Sequence, residues 1–351
     1  MAGYAIATAL TEIVAGALSD RYGRRPVALG SLSLFIIASI GCALAPNISL
    51  FLLFRAMQAS IAACFSVALV LIKEASGERK AASSFGYLAM GWAIAPMLGP
   101  MAGGLLNELF GWRAIFAVFA FLGAVMLALC MREIRETAPR SRKPVGSYRA
   151  SYGQLLGSAR FWAYTLCMAF SMGTLYVFLG GAPLIAGSSL GGSTARLGLY
   201  MGMVPAGFIL GSYLAGRYAS RYSLGTTLVM ARLATCLGLS AGLALSAAGV
   251  VHSFAFFGPC IFIGIGNGLG MPAANAGMLS VRGDLAGTAA GLAAAMTIGG
   301  GALVASIVGL LLGEDGSVPA LFGVMLASAS LALLTALSAA ALEWRMARAG
   351  P

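Results

Sequence analysis

GALSDRYGRRPVALG, residues 16–30, sets Asp20, Arg21, Arg24 and Arg25 between two long apolar runs. Four charges in six residues stand out in this chain. Only 9% of its 351 residues are charged and 60% are hydrophobic, whereas ordinary soluble domains carry about 25% charged residues. Eleven acids and twenty-two bases cannot form a soluble surface for a protein of 35.7 kDa. Apolar runs recur along the whole chain, each about long enough to cross a bilayer core of roughly 30 Å as a helix. They are continuous and rich in Leu, Ala and Gly rather than alternating, which argues against a β-barrel. The predicted fold class is all-α, a polytopic membrane protein.

The net charge of +11 would suggest nucleic acid in a soluble chain. Here the bases lie at the ends of apolar runs, where positive charge marks the cytoplasmic side, and basic patches with interleaved aromatics are absent. Nucleic acid is therefore not an expected partner. Cys42, Cys64, Cys130, Cys167, Cys236 and Cys260 all fall inside apolar runs without CxxC spacing. They read as small hydrophobes, not as a disulfide framework or metal site. With His252 the sole histidine, neither a metal nor a cofactor is expected. The N-terminus lacks the basic flank of a cleaved signal peptide.

About eleven spans are predicted, near 3–18, 27–45, 48–72, 82–106, 112–132, 159–187, 194–216, 226–248, 252–280, 285–312 and 317–344. Connections rich and poor in bases alternate without a break, which places the C-terminus in the cytoplasm of an inner-membrane protein. Eleven spans then put the N-terminus outside, with no basic flank to orient it. The parity predicts a twelve-span architecture whose first helix is absent from this sequence. Residues 133–158 form the only long polar connection. They divide the chain into an N-terminal bundle of five spans (1–132), a cytoplasmic linker (133–158) and a C-terminal bundle of six (159–351).

The two parts repeat each other. LSDRYGRR (18–25) closes the first span, and LAGRYASR (214–221) closes the seventh, with Leu, Arg, Tyr and Arg in register. AASSFGYLAMG (81–91) matches AGTAAGLAAAM (286–296) more weakly. Two repeated helix bundles joined by a cytoplasmic linker are a transporter signature.

Topology explains the arginines of the opening stretch but not Asp20. At the C-terminal end of its own helix an anion is disfavoured. Asp20 therefore needs a partner elsewhere, either a neighbouring arginine or another helix's N-terminus. Gly16, one turn earlier, permits close helix approach. The stretch reads as an electrostatic latch.

It closely resembles the signature loop G-x-L-[AS]-D-R-x-G-R-R between the second and third helices of the major facilitator superfamily. The resemblance implies that Asp20 and Arg21 help to lock the two halves in the outward-facing state. Gly16 and Gly23 would be packing and turn positions, and Arg24 and Arg25 further latch charges. Three more stretches extend the likeness. Arg55 lies inside an apolar span, where a charge costs about 2.5–3.5 kcal/mol on insertion scales, and Gln58 shares its face at i+3. The pair resembles the superfamily motif R-x-x-Q-G, with Ala59 in place of its Gly, and implies a role for Arg55 in proton coupling. GWAIAPMLGPMAGGLL (91–106) puts Pro96 and Pro100 within a span, with Gly99, Gly103 and Gly104 as a small packing face. It resembles the antiporter motif, comprising Gly91, Pro96, Gly99, Pro100, Gly103 and Gly104 here, and implies export. FGWRAIF (110–116) and FLGGAP (178–183) narrow the resemblance to the bicyclomycin/chloramphenicol-resistance type of drug:proton antiporter.

Glu12 lies eight residues before Asp20, about 12 Å deeper at 1.5 Å per residue. A carboxyl near the midplane suits a proton carrier or a cation site. Arg232, one turn into its span, is expected to snorkel. GIGNGLG (264–270) has no GK[ST] sequel and reads as helix packing. Pro183, Pro205, Pro259 and Pro272 are expected to bend helices around a cavity. Gln58, Tyr176, Phe178 and Asn267 are the candidate substrate contacts. The expected function is proton-coupled efflux of drugs or other small amphipathic molecules by alternating access. The expected partners are a small-molecule substrate, protons and the bilayer, and the expected state is a monomer without enzymatic activity. A proton symporter for a small nutrient and an inactive truncated remnant are the alternatives.

Overall fold

A computed structural model describes the backbone of residues 2–76, 78–134, 147–189, 200–218, 221–250, 252–281, 285–312 and 317–349. It describes their side chains except at 2–6, 78–79, 92–101, 104, 147–151, 183–189, 305, 307–312, 347 and 349. Residues 135–146 of the expected linker, the start of the expected seventh span and Arg282 lie outside the described residues. So do the side chains of Pro96, Pro100 and Pro183, together with Gly99 and Gly104 beyond their helical backbone.

Among the described residues every regular element is a helix. The order is α1 (Ala2–Tyr22), α2 (Arg24–Leu44), α3 (Ile48–Met57), a 3₁₀ turn (Gln58–Ile61), α4 (Ala62–Ser76), α5 (Glu78–Phe110), α6 (Trp112–Glu133) and α7 (Ser147–Leu156). It continues with α8 (Ala159–Ser189), α9 (Met203–Tyr218), α10 (Leu224–Ala247), α11 (Ser253–Leu279), α12 (Ala286–Leu312) and α13 (Val318–Ala349). Eight helical stretches among the described residues are long and apolar enough to cross a membrane, α3 and α4 together counting as one. The remaining expected spans correspond to α1, which carries Glu12, Asp20 and Arg21, to α5, and to α9.

Local chemistry sets the helix ends. Asn47 Oδ1 accepts from Leu50 N at 2.9 Å and starts α3. Ser223 Oγ accepts from Thr226 N at 3.1 Å and starts α10. Such caps satisfy amides that have no intrahelical partner. Gly23 (φ 100°) separates α1 from α2, and Gly111 (φ 78°) separates α5 from α6. Side chains avoid that left-handed region, so glycine permits both breaks.

The helices fall into two compact units. The first comprises Met1–Ala75, Leu98–Ser158 and Leu279–Ala295, the second Ser76–Met97, Ala159–Met278 and Met296–Pro351. The division cuts through α5 and α12.

In the first unit α2 packs on α6. A Cβ at Gly123 would stand 2.9 Å from Ile36 Cγ1, and Phe51 meets the edges of Trp112 and Phe116 at 5.6 and 5.4 Å. α1 crosses α12 at three glycines. A Cβ on Gly16 would overlap the carbonyl oxygen of Gly287 and lie 3.2 Å from the Gly291 Cα.

In the second unit α13 packs against α8 and α10. Phe178, Phe256, Phe257 and Phe322 form its aromatic core. GIGNGLG works as packing, in two directions. A Cβ at Gly264 or Gly268 would overlap the α9 backbone at Val204 or Phe208. One at Gly266 would meet Ala231 O at 2.7 Å and overlap Thr235 Oγ1, and one at Gly270 would overlap the Arg232 guanidinium, both on α10. Alternate glycines thus let α11 press on α9 and α10 together. α5 crosses α9 in the same unit, where a Cβ on Gly86 would lie 2.8 Å from the Gly216 Cα. By contrast, a Cβ on Gly91 or Gly103 would meet no atom of the described residues within 4 Å. Among the described residues, nothing therefore packs closely on Gly103.

Overpacking of this kind costs about 1–3 kcal/mol. Gly264→Val is expected to lower the unfolding midpoint of the detergent-solubilised protein clearly. Gly30→Ala, where a Cβ meets open space, is expected to leave that midpoint unchanged or raise it slightly through helix propensity. Thermal unfolding of the two variants side by side checks both.

Candidate functional site: a charged corner and buried polar networks

Asp20 ends α1 with its side chain aimed at the start of α12. Its Oδ1 accepts from Gly287 N at 3.0 Å, and its Oδ2 from Thr288 N at 2.6 Å and Thr288 Oγ1 at 2.7 Å. First-turn amides have no partner of their own, and the helix dipole favours an anion there. Arg24 Nη1 donates to Asp20 Oδ1 at 2.8 Å. Both kinds of partner expected for Asp20 are thus present. The buried Arg24 also reaches Ser19 Oγ at 3.3 Å and Glu74 Oε1 at 3.4 Å. Gly23 places Arg24 at the start of α2, four residues after Asp20. Of the arginines that the resemblance names, Arg24 is the one that pairs with Asp20. Arg21 is half-buried, and its guanidinium lies 5.0 Å from the Tyr22 ring centre. The exposed Arg25 donates to Met131 O at 3.0 Å, joining α2 to α6.

Deeper in the same unit Glu12 is 2% exposed. It accepts a hydrogen bond from Ser66 Oγ on α4, and no salt bridge reaches it among the described residues. Arg55 donates to Gln58 Oε1 at 2.8 Å, and Gln58 Nε2 donates to Ser39 Oγ at 2.8 Å. Ser39 Oγ donates on to Phe35 O at 2.7 Å. This one-way chain joins α3 to α2 through the 3₁₀ turn, and Gln58 is fully buried. The two proton-coupling candidates do not meet. Arg55 and Ser66 are eleven residues apart, about 16 Å at helical rise.

The second unit overturns one expectation. Arg232 does not snorkel. It is 1% exposed. Its Nη2 donates to Gly266 O at 2.7 Å and its Nη1 to Asn267 Oδ1 at 3.4 Å. Asn267 Oδ1 also accepts from Ser171 Oγ at 2.6 Å. Gly270 leaves the space that the guanidinium fills, so the side chain turns into the bundle and finds backbone and amide acceptors there. Of the other cavity candidates, Phe178 is fully buried, edge-on to Phe257 at 6.2 Å. Tyr176 is half-buried beside Gly301. Asn267 and Phe178 therefore belong to separate clusters, one polar and one aromatic.

Sequence reading missed Glu343. On α13 it accepts from Gly225 N, the second residue of α10, at 2.8 Å. It also accepts from Tyr164 Oη and pairs with Arg160 Nη2 at 3.9 Å. The signal was the one that singled out Asp20, an acid near the C-terminal end of its own apolar helix.

Three comparisons with known proteins agree with this architecture. The Major Facilitator Superfamily profile matches residues 1–306. The chain is 30% identical to a chloramphenicol resistance protein of Pseudomonas aeruginosa over 315 residues, 88% of this chain and 73% of that one. It is 28% identical to multidrug resistance protein D of Escherichia coli strain K12, covering 96% of this chain and 86% of the relative. Among solved structures, the Escherichia coli fucose:proton symporter aligns with a TM-score of 0.77 at 16% identity, covering 96% of this chain and 89% of that one. At that identity the likeness shows the fold alone. A multi-pass membrane protein matched by the family profile over most of its length is a transporter rather than an enzyme, and this chain belongs to the Major Facilitator Superfamily.

Proposed function

We propose that the protein exports drugs or other small amphipathic molecules across the inner membrane in exchange for protons. The observation that carries this reading is the similarity to a chloramphenicol resistance protein over 88% of the chain. The motif at Gly91, Pro96, Gly99, Pro100, Gly103 and Gly104 supports the outward direction. In this reading the protein works as a monomer, with residues 133–158 as a cytoplasmic linker between its repeats and the C-terminus in the cytoplasm.

The mechanism follows from what each side chain holds. Asp20 fixes the N-terminus of α12 through three hydrogen bonds, so that end of the protein opens only when those bonds break. Glu12 is the proton-binding group. Its carboxyl, held by Ser66, changes charge when it takes up a proton. A proton shifts the balance of states only if it binds one state more tightly than the other. Losing Glu12's charge would alter its bond with Ser66, which joins α1 to α4. Arg55 supplies a fixed positive charge on the same helical stack, tied to α2 through Gln58 and Ser39.

Expression in an efflux-deficient bacterial host tests the reading with chloramphenicol as the probe. Several-fold resistance that a proton uncoupler abolishes is expected. Absence of resistance, with the protein present in the membrane, would overturn drug export. Glu12→Gln is expected to abolish proton-dependent export while the protein still reaches the membrane. If export in Glu12→Gln still follows an imposed proton gradient, Glu12 leaves the mechanism. Asp20→Asn keeps the shape but removes the anion from the α12 amides, and is expected to lower resistance close to that of the empty host.

A further inference from the structure

Lys73 sits in the last turn of α4, where its charge alone would mark the cytoplasmic side. The structure gives it a more definite task. The side chain is buried, and Nζ donates to the carbonyl oxygen of Leu279 at 2.6 Å. Leu279 is the last residue of α11. The final carbonyls of a helix have no intrahelical partner and carry the negative end of its dipole, so a buried ammonium is well matched there.

The next residue, Glu74, belongs to a second set of bonds. It accepts from Arg24 at 3.4 Å, and Arg24 pairs with Asp20 at 2.8 Å. Asp20 in turn holds the first amides of α12. The end of α11 and the start of α12 are therefore each gripped. A cation holds the carbonyl end of α11, and an anion holds the amide end of α12. Both grips are anchored on the neighbouring ends of α1 and α4, and Arg24 ties the anchors together.

We propose that Lys73 is a positioning residue of this corner, the cationic jaw of a clamp whose anionic jaw is Asp20. The inference rests on the reading that the corner opens during transport. Neither jaw suffices alone. Asp20 fixes where α12 begins, and Lys73 fixes where α11 ends, so both helix ends are held only when both bonds are made. A topology signal would need only a positive charge near the membrane surface. It would not require a buried ammonium directed at one backbone carbonyl.

A thiol reporter tests this in the purified full chain. Ser280→Cys places a cysteine in the connection from α11 to α12, and its rate of alkylation by a maleimide is corrected for the chain's own cysteines. Lys73→Gln is expected to raise that rate about tenfold, the size expected for losing one charge-assisted hydrogen bond. Lys73→Arg keeps a cation at the helix end and is expected to stay near the parent rate. Asp20→Asn is expected to raise the rate as Lys73→Gln does. If Lys73→Gln does not accumulate, Lys73→Met takes its place with the same expectation. A parent-like rate in the uncharged variant, with Asp20→Asn raised, would overturn the role of Lys73 alone. Equal rises in Lys73→Arg and Lys73→Gln would also overturn it, because the charge would then not matter. An unchanged rate in Asp20→Asn would instead overturn the opening of the corner on which the inference rests.

Discussion

An α-helix ends in amides and carbonyls that its own turns cannot satisfy. In a chain with so few charges, the placement of charges at those ends is a strong constraint. Asp20 meets the first amides of α12, Glu343 an amide in the first turn of α10, and Lys73 the last carbonyl of α11. Each charge has the sign that the helix end prefers. The two acids come from near the C-terminal ends of their own helices, where their own dipoles disfavour them. Each is thus stable in its place only while the helix it caps stays put. These three charges therefore specify which helix ends are neighbours, a task that apolar side chains in a bilayer do poorly.

Glycine supplies the other half of that specification. Backbones must come close before a carboxylate can reach an amide. The α1–α12 crossing achieves this with Gly16, Gly287 and Gly291, and the α5–α9 crossing with Gly86 and Gly216. The sequence repeat relates the two crossings. Gly86 and Gly291 occupy matching places, as do Ser83 and Thr288, and Gly216 falls where Asp20 stands. Thr288 Oγ1 donates to the Asp20 carboxylate, whereas Ser83 Oγ donates to the Gly216 carbonyl. Both crossings thus rest on glycine and a hydroxyl donor, one around a charge and one without it, with the glycine contacts a turn apart in repeat register.

Much of this was legible in the sequence, for reasons that are local. Span lengths and the need of Asp20 for a partner follow from residues within a turn or two, and the family likeness implies the turn at Gly23. The partners themselves were not legible. Ser66 is fifty-four residues from Glu12, and Thr288 lies 268 residues from Asp20. No local pattern says which helices touch. Arg232 shows the limit most clearly. Its distance from the end of α10 permits snorkelling, and only the missing side chain of Gly270 on another helix lets it turn inward. GIGNGLG and the proline-rich stretch at 91–106 look equally suited to close packing. The difference is that α11 has α9 and α10 pressed against it, while the described surroundings of Gly91 and Gly103 are open.

The charge difference between the two crossings bears on energetics. A hydrogen bond to a charged group contributes about 1.5–3 kcal/mol, and a neutral one about 0.5–1.5 kcal/mol. Asp20 makes several bonds of the first kind, while Ser83 makes one of the second. Shifting a two-state balance from one extreme to the other takes about 5.5 kcal/mol, on the order of two or three charge-assisted bonds. The Asp20 bonds are therefore of the size such a shift requires, and the single Ser83 bond is not. In a transporter that must leave each state readily, a strong hold on one side is useful only if something else can release it. The buried carboxyl of Glu12 lies two turns deeper on the same helix as Asp20, with Gly291 of α12 against its backbone. In the proposed mechanism a change of charge at Glu12 would act through Ser66 on α1, the helix that also carries Asp20.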